Sequence, residues 1–290
     1  MTWQMYRWVW RLESPVHLGV APAGIINRTR LYVPARTLWG ALTSEISRRE
    51  AGEGFPPYDE IGRELRQKVR FTYLYPAQQE GDNWYAWLPR YAKGIGLCWI
   101  RENRSNGLLS DRKFRARLLS TIPGTAISPS TDTAEDGTLH EMEYIQTQWK
   151  RKNIENSDVA FVGYVFFGDN VLKDKVFHVN ELFAGADTRY GFGRLVRMEY
   201  LSEVTQCFGK QIKLDQQSPW IKTDTVFAHV GAHNFGIRGF VQLLQQWDRE
   251  EILISGLAWA PGSFVEEEAF FAILPSGLWK PLIAQEDDKL

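Results

Sequence analysis

The chain has 290 residues, 44% hydrophobic and 24% charged, which is ordinary globular usage and excludes a disordered or fibrous polymer. A formal net charge of −1 argues against a uniformly basic nucleic-acid binder, yet it hides a polarity: residues 1–120 hold 19 Lys and Arg against 11 Asp and Glu, a net of +8, whereas residues 121–290 hold 15 against 24, a net of −9. Two cysteines, Cys98 and Cys207, are too few for a disulfide framework and point to a reducing, cytoplasmic compartment.

The chain opens with three tryptophans in its first eleven residues, but Gln4, Arg7 and Arg11 interrupt any signal-peptide core. No window approaches ~18 consecutive apolar residues, so no membrane partner is expected. Residues 2–13 alternate, with Tyr6, Trp8, Trp10 and Leu12 on one side and Arg7 and Arg11 on the other, which predicts a strand. The Pro- and Gly-containing stretch SPVHLGVAPAGIINRTR breaks regular structure. Leu38, Leu42 and Ile46 then recur every four residues after Pro34, predicting an amphipathic helix.

Strands are predicted over 68–75, 84–87 and 97–100. Residues 101–139 show no sustained period and read as a long irregular excursion, a feature usually functional or disordered. The apolar run 159–167 predicts a strand, 180–184 a short helix or turn, and 192–201 a closing strand. After a polar connector, GKQIKLDQQSP, strands are expected over 225–230 and 251–259. Helical spacing of Phe240, Leu243, Leu244 and Trp247 predicts a helix over 238–247.

In order this is β-α-β, an excursion, then β-α-β. The fold class is therefore α+β: a ferredoxin-like, RNA-recognition-motif-like βαββαβ domain over 1–203 with an insertion at about 101–139. A smaller C-terminal α+β region over 204–290 follows, for which a degenerate second ferredoxin-like domain is one reading.

The chain carries no GxxxxGK[ST], HExxH or GxSxG, so nucleotide hydrolysis, zincin and α/β-hydrolase chemistry lose their usual warrants. His229 and His233 lie four apart in HVGAH without the glutamate a metal hydrolase needs. Asp132, Asp136, Gly137 and Glu143 fit a calcium loop only in part, with Ala134 at a ligand position. Neither pattern argues for a metal, and no cofactor is expected.

The basic excess is mostly arginine, whose guanidinium binds phosphate bidentately and stacks on bases. Arg28, Arg30 and Arg36 follow the first loop; Arg112, Lys113, Arg115 and Arg117 crowd the excursion. The segment GADTRYGFGR joins Gly185, Gly191 and Gly193, which let backbone N–H groups approach an anion, to Arg189 and Arg194 and to the rings of Tyr190 and Phe192. By itself a glycine-rich turn before a strand is equally a structural turn.

Three segments in this order resemble the RAMP superfamily of CRISPR-associated proteins: SPVHLGV followed by RLYVPARTLWGAL, TAISPSTDTAEDGTLHEMEYI, and GADTRYGFGRL, spread over about 200 residues. The resemblance implies a domain that binds CRISPR RNA within a type III effector complex, with target RNA reached through the complex and with backbone and large subunits as neighbours. By the same likeness the excursion corresponds to the thumb that touches guide RNA or a neighbouring subunit. Target-cutting members carry an aspartate in the loop after the first strand. Here residues 14–36 contain no Asp or Glu, so no carboxylate is there to position metal or assist 2′-OH attack.

The C-terminal GLAWAPGSFVEEEAFF is reminiscent of the subunit that caps the 5′ tag of the guide beside the large signalling subunit. A catalytically silent backbone subunit and a metal-independent guide-processing endoribonuclease, using His17 with a tyrosine such as Tyr32, are the alternatives. A pure assembly subunit, whose 39 aromatic residues form protein interfaces, is a third. On the preferred reading His17 contacts RNA or packs, and the acidic Glu266, Glu267 and Glu268 face protein or solvent.

Overall fold

A computed structural model describes residues 2–150, 158–198, 202–232, 236–248 and 251–282. The first strand, β1 (Gln4–Leu12), buries Tyr6, Trp8, Trp10 and Leu12 on one face and Met5 and Val9 on the other. Next comes α1 (Ala35–Glu50), which buries Leu38, Leu42 and Ile46 and ends on Arg48 and Arg49, cations that complement the helix dipole. It leads to α2 (Tyr58–Lys68), with Asp59 and Glu60 in the first turn and Ile61 and Leu65 buried.

Four strands follow: β2 (Val69–Phe71), β3 (Tyr75–Glu80), β4 (Asn83–Ala92) and β5 (Gly96–Arg101). Within the excursion lie α3 (Asp111–Leu118), β6 (Leu119–Gly124) and β7 (His140–Ile145). The chain returns through β8 (Ala160–Phe167), every residue of which is buried, and α4 (Asn170–Phe177), whose Asp169 cap accepts from the N–H groups of Val171 and Leu172. The strands β9 (Glu181–Phe183) and β10 (Arg194–Arg197) complete the unit.

The main sheet runs β9-β10-β1-β8-β3-β4-β5 and ends on Leu109–Ser110, with β2 also paired to β8. Its centre is antiparallel throughout: β10 on β1, β1 on β8 from Gln4↔Phe167 to Arg11↔Ala160, and β8 on β2 and β3. Helices α1 and α2 connect β1 to β2, and α4 connects β8 to β9. These helices cover one face, where the Phe177 ring of α4 meets Tyr6 at 5.2 Å and Phe167 at 5.7 Å. The excursion folds into a three-stranded sheet in which β7 lies between β6, antiparallel, and Ile26–Asn27, parallel.

A second sheet covers the opposite face. Its longer strands are β11 (Lys210–Lys213), β12 (Trp220–Thr225), β13 (Val241–Asp248), β14 (Glu251–Trp259), β15 (Phe264–Ile273) and β16 (Trp279–Pro281). It joins the first through aromatic packing, Tyr164 against Phe208 at 4.8 Å, and through the Tyr75 hydroxyl, which donates to the Phe227 carbonyl at 2.7 Å. The two sheets share one continuous hydrophobic core.

The mixed α+β class agrees with the sequence, and several elements do not. The C-terminal region is not α+β: among its described residues it contains strands and no α-helix. The helix expected over 238–247 is β13, paired with β14 from Val241↔Trp259 to Asp248↔Glu251. Leu244 is buried and its neighbour Leu243 is 54% exposed, the alternation of a strand, which a spacing of three to four residues does not exclude. The short helix or turn expected over 180–184 is the edge strand β9. The excursion is structured, since Phe114 and Leu118 at i and i+4 bury one face of α3. The polar stretch expected to be a connector contains β11. The closing strand is only four residues long; residues 199–201, expected within it, lie outside the described ones, as does His233.

Candidate nucleic-acid interface

The chain leaving β1 does not form an open loop. It runs as a strap between the glycine-rich segment and β7. On one side Gly193 N–H donates to the Pro15 carbonyl at 2.7 Å, Ala186 N–H to the His17 carbonyl at 2.9 Å, and Arg194 N–H to Ser14 Oγ at 2.9 Å. On the other side Val16 and Ile145 exchange backbone hydrogen bonds of 3.0 and 2.9 Å.

Glycine is required where the strap comes close. A Cβ on Gly185 (φ +93°) would lie 2.4 Å from the His17 carbonyl oxygen, and one on Gly193 (φ +79°) 2.1 Å from that of Ala184. Gly191 also has positive φ, at +85°, but nothing lies within 4 Å of its Cβ position. Between these glycines Asp187 takes a left-handed conformation and a 3-10 turn, Thr188–Tyr190, lifts Arg189 and Tyr190 away from the body, with Tyr190 83% exposed. Phe192 supports the turn from beneath, its ring edge-on to Tyr144 at 5.8 Å.

Strap, glycine segment and the start of α1 enclose a pocket of ≈ 310 Å³ lined by Gly19, Arg30, Pro34, Thr37 and Gly185, with Leu18 and Ala186. The first turn of α1 holds no acidic residue, so the positive end of its dipole, which reaches the pocket at Pro34 and Thr37, has no carboxylate of that turn against it. Among the described residues Arg30 has no carboxylate partner; its Nη1 donates to Tyr32 Oη and to Gln242 Oε1, both at 3.3 Å.

Behind Arg30 lies a buried polar cluster. Tyr73 Oη and His229 Nδ1 are 2.8 Å apart, His229 Nε2 and Gln242 Oε1 2.9 Å apart, and the rings of Tyr32 and Tyr73 stack at 5.3 Å. Burial, reinforced by the Arg30 charge, lowers the His229 pKa to about 4, and burial raises those of Tyr32 and Tyr73. All three are neutral at pH 7, leaving Arg30 as the charge of the group.

The remaining expected site residues divide by environment. Arg28, Arg112, Lys113 and Arg189 are exposed and make no ion pair among the described residues. Arg36 lies over the Trp39 ring at 5.8 Å, with Arg66 over the same ring at 5.7 Å. Arg115 is held by Asp111 at 2.7 Å and is 3.9 Å from Glu143; Arg117 is half-buried beside it on α3. Arg194 is committed to Glu181 at 2.6 Å, which raises its pKa. His17 is buried, with Nδ1 2.7 Å from the Glu143 carbonyl oxygen, and no hydrogen bond joins it to Tyr32.

No protein-family profile matches the chain, and no curated protein sequence does. Solved structures do. One chain in a cryo-EM structure of the Type III-B Cmr-beta bound to cognate target RNA and AMPPnP superposes with a TM-score of 0.55 at 14% identity, covering 89% of this chain and 85% of that one. What the two chains share is a fold. A chain from the Type III-B Cmr-beta bound to cognate target RNA covers 67% of this chain and 96% of its own length, at 12% identity and a TM-score of 0.43.

Within that fold, sequence reasoning found the glycine segment and the arginines but missed Glu143, Tyr73, His229 and Gln242 as parts of one site. Glu143 ties the strap to β7, accepting Thr29 N–H at 2.9 Å on its carboxylate. His229 lies in the apolar run VFAHV, the only sequence signal that it is buried; Gln242 carries none.

Proposed function

We propose that the chain is a non-catalytic CRISPR RNA-binding subunit of a type III CRISPR interference complex, gripping the 5′ tag of the guide and contacting the large signalling subunit and the backbone subunits. The fold shared with a chain of RNA-bound Type III-B Cmr-beta supports this reading. The antiparallel order β10-β1-β8-β2, with helices on one face, supports the ferredoxin-like assignment of its first region. The observation that carries the proposal is the convergence of strap, glycine segment and α1 on a pocket whose one charge is an arginine unopposed by any described carboxylate.

On this reading Arg30 and the first turn of α1 hold guide phosphates, while Arg28, Arg189, Arg112 and Lys113 extend the track. Tyr190, standing free on its turn, offers a ring for one base. Retention of guide RNA by the purified complex tests this. Arg30→Ala with Arg189→Ala lowers retention and flattens its dependence on salt, by about 0.7 in log–log slope for each phosphate of single-stranded RNA that is no longer neutralised. Unchanged retention would sink the assignment.

The non-enzymatic part of the reading is supported by the acid-free loop 14–36, by a His17 ring enclosed in the strap, and by a Tyr32 hydroxyl pushed up in pKa by burial and occupied by Arg30. Incubating the chain with repeat RNA in EDTA is the check: specific cleavage that disappears in His17→Ala would make it a processing nuclease.

A further inference from the structure

Arg30 lies in the first region, yet one of its two protein hydrogen bonds comes from the last. Gln242 sits on β13 of the C-terminal sheet, 212 positions away in the chain, and its Oε1 faces two donors, Arg30 Nη1 at 3.3 Å and His229 Nε2 at 2.9 Å. His229 is fixed in turn by Tyr73. With Nε2–H donating to Gln242, Nδ1 is the acceptor and the Tyr73 hydroxyl donates to it at 2.8 Å. Tyr32 Oη closes the ring, 3.3 Å from Arg30 Nη1 and 3.4 Å from His229 Nε2.

Both oxygens that hold Arg30 take the same nitrogen, Nη1. Among the described residues Nε and Nη2 have no protein partner, so the bidentate edge of the guanidinium is left for a ligand in the pocket, which Arg30 lines. A flexible arginine beside an anion site ordinarily loses much of its rotamer freedom on binding; one braced from behind has already given it up.

We infer that Gln242 is a positioning residue for anion binding: together with His229 it braces Arg30, so that the C-terminal sheet sets the geometry of a phosphate site whose walls belong to the first region. This rests on the RNA-binding reading above and deepens it, assigning to the C-terminal region a role in the affinity of a site it does not line.

A double-mutant cycle on the full chain in its complex, with guide RNA titrated at several salt concentrations, tests the inference. Arg30→Ala weakens binding about tenfold and lowers the salt slope. Gln242→Leu, which leaves every candidate phosphate ligand in place, weakens binding by several-fold, and Arg30→Ala combined with Gln242→Leu is no weaker than Arg30→Ala. Gln242→Asn keeps the amide and adds no charge but draws the carbonyl back from Arg30 and His229 by one methylene; it melts close to the wild type and still weakens binding, because the brace no longer reaches.

Additive losses, or a Gln242→Leu that binds like the wild type, overturn the bracing role and leave the RNA-binding reading standing. If Gln242→Leu fails to fold, Gln242→Asn decides, and wild-type binding by it overturns the inference. Arg30→Ala binding like the wild type overturns the reading of the pocket itself.

Discussion

Gly185, Gly191 and Gly193 share a left-handed backbone but differ in what surrounds them, and that difference sets their sensitivity to substitution. At Gly191 an alanine meets open space and bears only the cost of positive φ, about 1 kcal/mol. At Gly193 it also meets a carbonyl carbon and oxygen of Ala184, so Gly193→Ala costs at least about 2 kcal/mol more and loosens the strap. Chemical denaturation of the two variants gives this order. His229 makes a second prediction. Its pKa is depressed from 6.5 to about 4, so the unfolded chain binds a proton that the folded chain refuses. The stabilisation from keeping it neutral is complete above pH 6.5 and is lost as pH falls toward 4, by about 3 kcal/mol in all. Denaturation midpoints over that range will fall more steeply in the wild type than in His229→Gln. The arginines and glycines were legible because their chemistry is written in their type; the bracing pair was not, since Gln242 and His229 acquire their role only where β13 and Val230–Gly231 flank the same strand, β14.

Among elements, those legible from sequence were the ones with a long, regular pattern: β1 by Tyr6, Trp8, Trp10 and Leu12 alternating with Arg7 and Arg11, although its other face also buries Met5 and Val9, β8 by an unbroken apolar run, α1 by its four-residue spacing. In α2, α3 and α4 the same spacing shrinks to a single pair, Ile61 with Leu65, Phe114 with Leu118 and Leu172 with Val176, too short to establish a period; Asp169, the side-chain cap of α4, was the one further sign for that helix. The element that anchors the excursion is α3. Its Phe114 stacks on Trp99 at 4.4 Å and packs against Trp87 and Trp149 at 5.5 and 5.6 Å, a buried aromatic box that fastens the insertion to β4 and β5. Phe114→Ala is expected to cost about 3–5 kcal/mol. Hydrogen exchange would localise the effect: β6 and β7 lose protection while β1 and β8 keep theirs. Retained protection in β6 and β7 would show that the small sheet holds itself.

Two large sheets enclose the core of the molecule, and the split into a net +8 and a net −9 follows that division only loosely, because Arg189 belongs to the acidic part of the sequence but to the first region of the fold. The C-terminal sheet is no appendage. Trp3 donates its backbone N–H to the Leu214 carbonyl at 2.8 Å, and the hydroxyl of Tyr75 is satisfied by the Phe227 carbonyl. Residues 1–203 expressed alone would uncover Trp3, Tyr75 and Tyr164, which the C-terminal sheet now buries, and are expected to aggregate; a soluble, cooperatively melting fragment would contradict this. The burial of β8 on both faces has one further consequence. A sheet backed by helices on a single side leaves its other side free as a table on which bases lie flat. Here that table is occupied by protein. Any RNA this chain holds must run along its rim, touching turn backbones and side-chain tips, and its grip then depends on the sugar-phosphate chain far more than on the identity of the bases it carries.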